Sequence, residues 1–157
     1  MTTKASLTCQ KAAIADVPRI HALISQYARK GDLLFRSIGE VYETLRDFYV
    51  VRDGERLVAC GALHIFWEDL AEVKSLAVVE DMQGRGLGQA VVESCLAEAR
   101  DLHIPAVFAL TLRPGFFEKL EFQRVDLMEL PRKVFHECLR CPKLAQCNEI
   151  AVIRRLT

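Results

Sequence analysis

Apolar residues between positions 17 and 28 fall on a single helical stripe. Ile20, Leu23, Ile24, Tyr27 and Ala28 recur at three- and four-residue intervals, which predicts an amphipathic helix. Asp16 is placed to cap it, Pro18 sits in the first turn where its missing N–H costs nothing, and Gly31 ends it. Ser37 is placed to cap a second, shorter helix through Val41, Tyr42 and Leu45. A short strand is expected ahead of both, at 6–11. The period then drops to two. Strands are predicted at 48–52, 56–67 and 71–79, joined by the hairpin signal Asp53-Gly54 and a turn at Asp69-Leu70, as an antiparallel meander.

Helical spacing returns at 86–102, where Leu87, Val91, Val92, Cys95, Leu96 and Ala99 form one broad face. Pro105 breaks that helix. The nearly continuous apolar run 106–112 reads as a buried parallel strand. Pro114 opens a short helix to 120, and 122–128 and 149–154 read as late strands. Between these strands lies a cysteine-bearing segment, about 131–148, that is helix or loop. The order β-α-α-β-β-β-α-β-α-β-β describes a mixed α/β domain with one strand–helix–strand crossover at its centre.

Composition narrows the function classes. The chain has 157 residues, 51% of them hydrophobic, enough for one domain with its own core and too short for two full-sized ones. Lys+Arg 21 against Asp+Glu 21 gives no net charge, which argues against a nucleic-acid partner. The longest apolar stretch, 57–63, is far short of the roughly 20 residues of a spanning helix, so no membrane association is expected. Met1-Thr2-Thr3-Lys4 has no apolar region behind it, so no signal peptide is read, and the six cysteines are expected as reduced thiols in a cytoplasm.

The chemistry concentrates in Leu76-Ala77-Val78-Val79-Glu80-Asp81-Met82-Gln83-Gly84-Arg85-Gly86-Leu87-Gly88. A β-branched strand enters a glycine-rich turn that opens a long helix. Unpaired N–H groups at such a start favour anions, glycines at 84, 86 and 88 let the main chain approach a phosphate, and Arg85 adds charge. The pattern suits a pyrophosphate. It is not a P-loop, since no Lys-Ser/Thr follows, nor a dinucleotide fingerprint, since the G-x-x-G spacing is absent. A tight strand–helix turn with no ligand is the plain alternative.

These residues carry a resemblance. Gln83-Gly84-Arg85-Gly86-Leu87-Gly88 is similar to the Q/R-x-x-G-x-G/A signature of the Gcn5-related N-acetyltransferase (GNAT) family, 71–78 to that family's fourth strand, and Phe116-Phe117-Glu118-Lys119-Leu120-Glu121-Phe122 to its F-Y-E-K-L-G-F segment. The resemblance spans roughly 5–130. It implies a single-domain mixed-sheet GNAT fold over 1–157, acetyl-CoA as acyl donor with its pyrophosphate on the 83–88 loop, and a splayed pair of strands beginning at 71 and 106. Leu76, Ala77, Val78 and Phe117 would line the donor's path. More narrowly, 33–37, 71–78, 110–117 and 133–135 resemble the acetyltransferase domain of N-acetylglutamate synthases. The tail bearing Cys138, Cys141 and Cys147 resembles their short, single-domain form.

Residue roles follow from that likeness. Glu72, fourteen residues before Gly86, matches a carboxylate base, and period two puts it on one face with Lys74 and Leu76. A solvated strand-end Glu is the alternative. A backbone N–H near Val78 is the family's usual oxyanion donor. Phe117 stands where many relatives have a tyrosine acid, so that phenol is missing. Thr111 matches a hydroxyl position of acetylglutamate synthases; otherwise it is a packed strand threonine and the thiolate, of pKa ~8.5, leaves unprotonated. Arg36 matches a substrate-binding arginine whose fork grips a carboxylate. Lys74 either holds a second carboxylate or pairs with Glu72, and Ser75, Arg113 and Lys133 complete the acceptor candidates. The acceptor implied is L-glutamate or a similar amino acid; another small amine, a peptide N-terminus, or a non-catalytic acyl-CoA-binding regulator stays open, as does a homodimer. His21, His64, His103 and His136 lack a motif. The H-x-C-x-x-C-x5-C tail lacks the second half of a zinc motif, leaving zinc, a disulfide or free thiols open, and no metal ligand is assigned.

Overall fold

The computed structural model describes residues 7–130 and 149–156. Its strands and helices are β1 (Cys9–Lys11), α1 (Val17–Arg29), α2 (Ile38–Glu43), β2 (Phe48–Asp53), β3 (Arg56–Trp67), β4 (Leu70–Val78), α3 (Leu87–Asp101), β5 (Ala106–Thr111), α4 (Pro114–Glu118), β6 (Gln123–Val125) and β7 (Ile150–Arg155). They form a seven-stranded mixed sheet in the order β1-β2-β3-β4-β5-β7-β6. β4 and β5 pair in parallel, with α3 as the connection that parallel neighbours require. The cysteine-bearing tail, with Lys133, His136, Cys138, Cys141 and Cys147, lies outside the described residues. Contacts divide the chain into two compact units, 1–62 with 75–97, and 63–74 with 98–157.

In the first unit the α1 stripe is buried as its spacing predicts. Val17, Ile20, Leu23, Ile24 and Tyr27 pack with Val41, Phe48, Val50, Leu57, Cys60, Ala62 and Ala77. Ser37 caps α2 by accepting the Glu40 N–H at 3.1 Å. Asp16, expected to cap α1, does not. A 3-10 turn at Ile14–Asp16 runs straight into the helix, so Asp16 already has helical dihedrals. Its carboxylate instead accepts the Ala13 N–H at 2.7 Å and receives the Arg52 guanidinium, with Nε at 2.9 Å. Burial pushes the Asp16 carboxyl up, but the Arg52 and Ala13 bonds outweigh it and hold it below its ordinary range.

β3 and α3 meet closely. A Cβ added at Gly61 would come within 2.6 Å of Val91 Cγ1 and 3.2 Å of Leu76 Cδ1. The α3 face is buried at Leu87, Val91, Val92, Cys95 and Leu96, as its period requires.

The second unit is built on β5. Leu70, Ala106, Phe108, Leu130 and Ala151 form its core, with Phe66, Leu110, Val125, Leu127 and Ile153 against them. The β5–β7 ladder runs for six residue pairs, Ala106↔Arg155 to Thr111↔Ile150. The parallel β4–β5 ladder holds two, Ala71↔Val107 and Glu72↔Phe108. The strand expected over 122–128 is shorter: β6 stops at Val125, because the Asp126 carboxylate accepts the Met128 N–H at 2.9 Å and draws Leu127–Glu129 into a 3-10 turn. α4 likewise ends at Glu118, before the expected 120, and Glu121 adopts a left-handed φ of 69°. The GNAT segment that this stretch resembles has glycine there.

Candidate active site

The glycine-rich loop belongs to the first unit. β4 ends at Val78, a 3-10 turn covers Glu80–Met82, and Gly84 and Gly86 hold φ of 80° and 81° before α3 begins at Leu87. Only glycine reaches that region without steric cost. The Gly86 carbonyl accepts the Ala90 N–H at 3.0 Å, so Gly86 stands at the helix N-terminus and the first N–H groups of α3 lack intrahelical partners. A Cβ at 84 or 86 would meet no atom within 4 Å, so the loop's glycine face is open, and Arg85 beside it is exposed. Gly88 differs from the expected trio: it lies inside the first turn of α3 and is absent from the left-handed positions. Open backbone, a helix start and a cation together fit a pyrophosphate.

Two ion pairs tether the turn ahead of the loop. Lys30 pairs with Glu80, and Arg56 grips Asp81 with two bonds of 2.8 and 2.7 Å. The Arg56 hydrogen bonds hold the Asp81 carboxyl down to about 2. Gln83, expected from the sequence as a contact to the acyl donor, turns its side chain to Tyr27: Nε2 donates to the Tyr27 hydroxyl at 2.6 Å and to the Val78 carbonyl at 3.3 Å. Tyr27 was not among the sequence candidates.

β4 carries most of the remaining candidates. Ser75 sits at φ 56° within the strand. A left-handed residue interrupts period-two alternation, so the face expected to carry Glu72, Lys74 and Leu76 extends only as far as Lys74. The Cys60 thiol donates to the Ser75 carbonyl at 3.5 Å, and burial pushes it up to about 12, so it stays protonated. Ala77 is buried, while Leu76 and Val78 are half-buried. Arg36, just before α2, keeps 16% of its side chain exposed, with Nη1 3.9 Å from Glu40 Oε2.

In the second unit Glu72 is 5% exposed, and with Asp16 and Ser25 it completes the buried polar residues among those described. It is not the solvated strand-end carboxylate that the sequence left open. Lys74 is half-buried. Thr111 closes β5 and its Oγ1 accepts the Arg113 N–H at 2.8 Å; the Arg113 side chain is exposed. Phe117 is buried, edge-on to Phe116 and Phe122 with centroids 5.1 Å from each. Of the described histidines, His21 lies edge-on to Phe35, His64 lies edge-on to Phe66, and His103 ends α3 with a left-handed φ of 61°. Among the described residues there is no cluster of three His, Cys, Asp or Glu that could hold a metal, and no helix long and apolar enough to cross a membrane.

Residues 19–122 match the Acetyltransferase (GNAT) family. The chain belongs to that family. An uncharacterized N-acetyltransferase of Chlorobaculum tepidum is 34% identical over 150 residues, 95% of this chain and 97% of its own. An amino-acid acetyltransferase of Mycobacterium tuberculosis is 37% identical over 134 residues, 83% of this chain and 76% of its own. Among solved structures, a Mycobacterium tuberculosis protein in complex with CoA and a second ligand, NLQ, superposes with a TM-score of 0.82. It is 30% identical, over 96% of this chain and 99% of its own. N-acetylglutamate synthase of Neisseria gonorrhoeae, complexed with coenzyme A and N-acetyl-glutamate, gives a TM-score of 0.86 at 28% identity. There 99% of this chain matches 36% of the synthase. This GNAT enzyme is therefore an N-acetyltransferase with acetyl-CoA as its donor.

Proposed function

We propose that this N-acetyltransferase acetylates the α-amine of L-glutamate, as a cytoplasmic, single-domain amino-acid acetyltransferase. The observation that carries the reading is Glu72, a carboxylate buried in β4 of a chain whose relatives include an amino-acid acetyltransferase and a synthase solved with N-acetyl-glutamate. Acetyl-CoA supplies the activated acyl group. Its pyrophosphate is assigned to the backbone of Gln83–Gly88 and to Arg85, with Leu76, Ala77, Val78 and Phe117 along the rest of the donor. Glu72 takes the proton that the acceptor's ammonium must lose before nitrogen attacks, directly or through a water. A backbone N–H near Val78 steadies negative charge on the acyl oxygen. With no phenol at Phe117, the departing thiolate either takes a proton from Thr111, whose Oγ1 accepts the Arg113 N–H and keeps its own O–H to donate, or leaves unprotonated.

Glutamate brings two carboxylates. Arg36 is assigned to one, with its planar fork, and Lys74 to the other, with Ser75 and Arg113 as further polar contacts. The test is thiol release from acetyl-CoA against a panel of free amino acids and amines. L-Glutamate is expected to lead. Arg36→Ala is expected to lower its kcat/KM thirty- to a hundredfold, the equivalent of about 2–3 kcal/mol for a lost charge-assisted contact, with CoA affinity kept. A wild type that prefers a neutral or cationic amine overturns the glutamate assignment. Glu72→Gln is expected to lower kcat about a hundredfold at neutral pH, partly recovered at higher pH where more amine is free. Near-normal turnover in that variant removes Glu72 as the base.

A further inference from the structure

The glycine loop does not hold its entry angle alone. Tyr27 lies near the C-terminal end of α1, 8% exposed, and its phenol meets two groups 51 and 56 residues away. The hydroxyl donates to the Val78 carbonyl, the last of β4, and accepts from Gln83 Nε2 at 2.6 Å. Gln83 Nε2 also reaches the Val78 carbonyl at 3.3 Å, closing a triangle. Lys30, which follows α1, pairs with Glu80 and lies 5.3 Å over the Tyr27 ring. One helix end thus holds the exit of β4, the first residue of the 3-10 turn and the first residue of the loop. A single oxygen must donate to a carbonyl and accept from an amide at once, which a hydroxyl does and a hydrocarbon ring does not.

We infer that Tyr27 is a positioning residue for the acyl donor: through Val78 and Gln83 it fixes the direction in which the 84–88 backbone meets the pyrophosphate. This deepens the donor assignment made above and rests on it. Preorganised N–H groups bind an anion without first being ordered, so releasing the loop costs affinity. The inference also explains why the Gln83 side chain faces Tyr27, leaving its backbone to the donor.

The test is CoA affinity by titration calorimetry on the full chain, with Tyr27→Phe, Gln83→Met and the double variant. Tyr27→Phe keeps the ring in the core, and Gln83→Met alters an exposed side chain, so one of the two remains informative if the other folds poorly. Each single variant is expected to weaken CoA about five- to tenfold. The double variant is expected to be no weaker than the worse single, because both remove the same triangle. Amide exchange over 79–88 in the free protein is expected to quicken in both. Tyr27→Phe with wild-type CoA affinity, losses that multiply in the double variant, or a loss that merely follows the unfolded fraction would each overturn the inference. Gly86→Val is the separate control. If it leaves CoA affinity untouched, the donor assignment fails; if it weakens CoA and Tyr27→Phe does not, only the role of Tyr27 fails.

Discussion

Gly54 and Gly86 both sit in the left-handed region, at φ 63° and 81°, and at both an added Cβ would meet nothing within 4 Å. Gly54 falls between β2 and β3, whose register closes at Asp53↔Arg56, and there the left-handed turn does no more than reverse the chain. Gly86 leads into the fifteen residues of α3, on a loop tethered by Lys30–Glu80, Arg56–Asp81 and Gln83–Tyr27. The backbone shape is the same, and the surroundings decide its use. A positive φ makes a turn; the turn proposed to take the pyrophosphate also ends on the first N–H groups of a tethered helix.

Substitution separates those two uses. Gly86→Val is expected to weaken CoA binding at least tenfold, about 1.4 kcal/mol, and to lower stability as well. Gly54→Val imposes the same backbone strain, about 1–2 kcal/mol by chemical denaturation, and is expected to leave CoA affinity within about twofold. If both variants lose CoA affinity equally, strain spreading through the fold explains the Gly86 result and the contrast collapses. Glu121 supplies the smallest effect. It holds φ 69° without being glycine, partly offset by a 3.0 Å ion pair with Arg154. An exposed pair is worth little, so Glu121→Gly is expected to stabilise the protein by about 1 kcal/mol with CoA affinity unchanged. A less stable variant would mean that the Arg154 contact outweighs the strain.

Periodicity made the helices and strands legible. The stripes of α1 and α3 are local patterns, and burial follows them; the strands are legible as apolar runs, with β3 buried continuously from Leu57 to Leu63. The Ser37 cap and the Asp53-Gly54 turn are local too. What periodicity could not carry was contact between distant residues. Asp16 looks like a helix cap until Arg52, 36 residues on, claims its carboxylate. Ser75 and Glu121 are ordinary letters, and neither residue type announces the left-handed φ it adopts. At the candidate site, the glycine signature points to the 83–88 loop, but nothing local announces that the Gln83 side chain bonds to Tyr27, 56 residues away. For Glu72 the sequence offers a base and a solvated strand end side by side; its burial removes the second, and the first is the role proposed.

Gly61 bears on how sequence variation in this enzyme should be interpreted. A methyl there would sit 2.6 Å from Val91 Cγ1, on a β-branched side chain that is itself fully buried and has nowhere to swing. Descendants of this chain that keep α3 at its present depth must therefore keep glycine at 61, as those that bind CoA on the loop must keep it at 86. The two positions would look equally invariant, one under selection for packing and the other for a ligand. Constancy of a glycine in this enzyme is thus no guide to its active site unless the space in front of that glycine is known to be open.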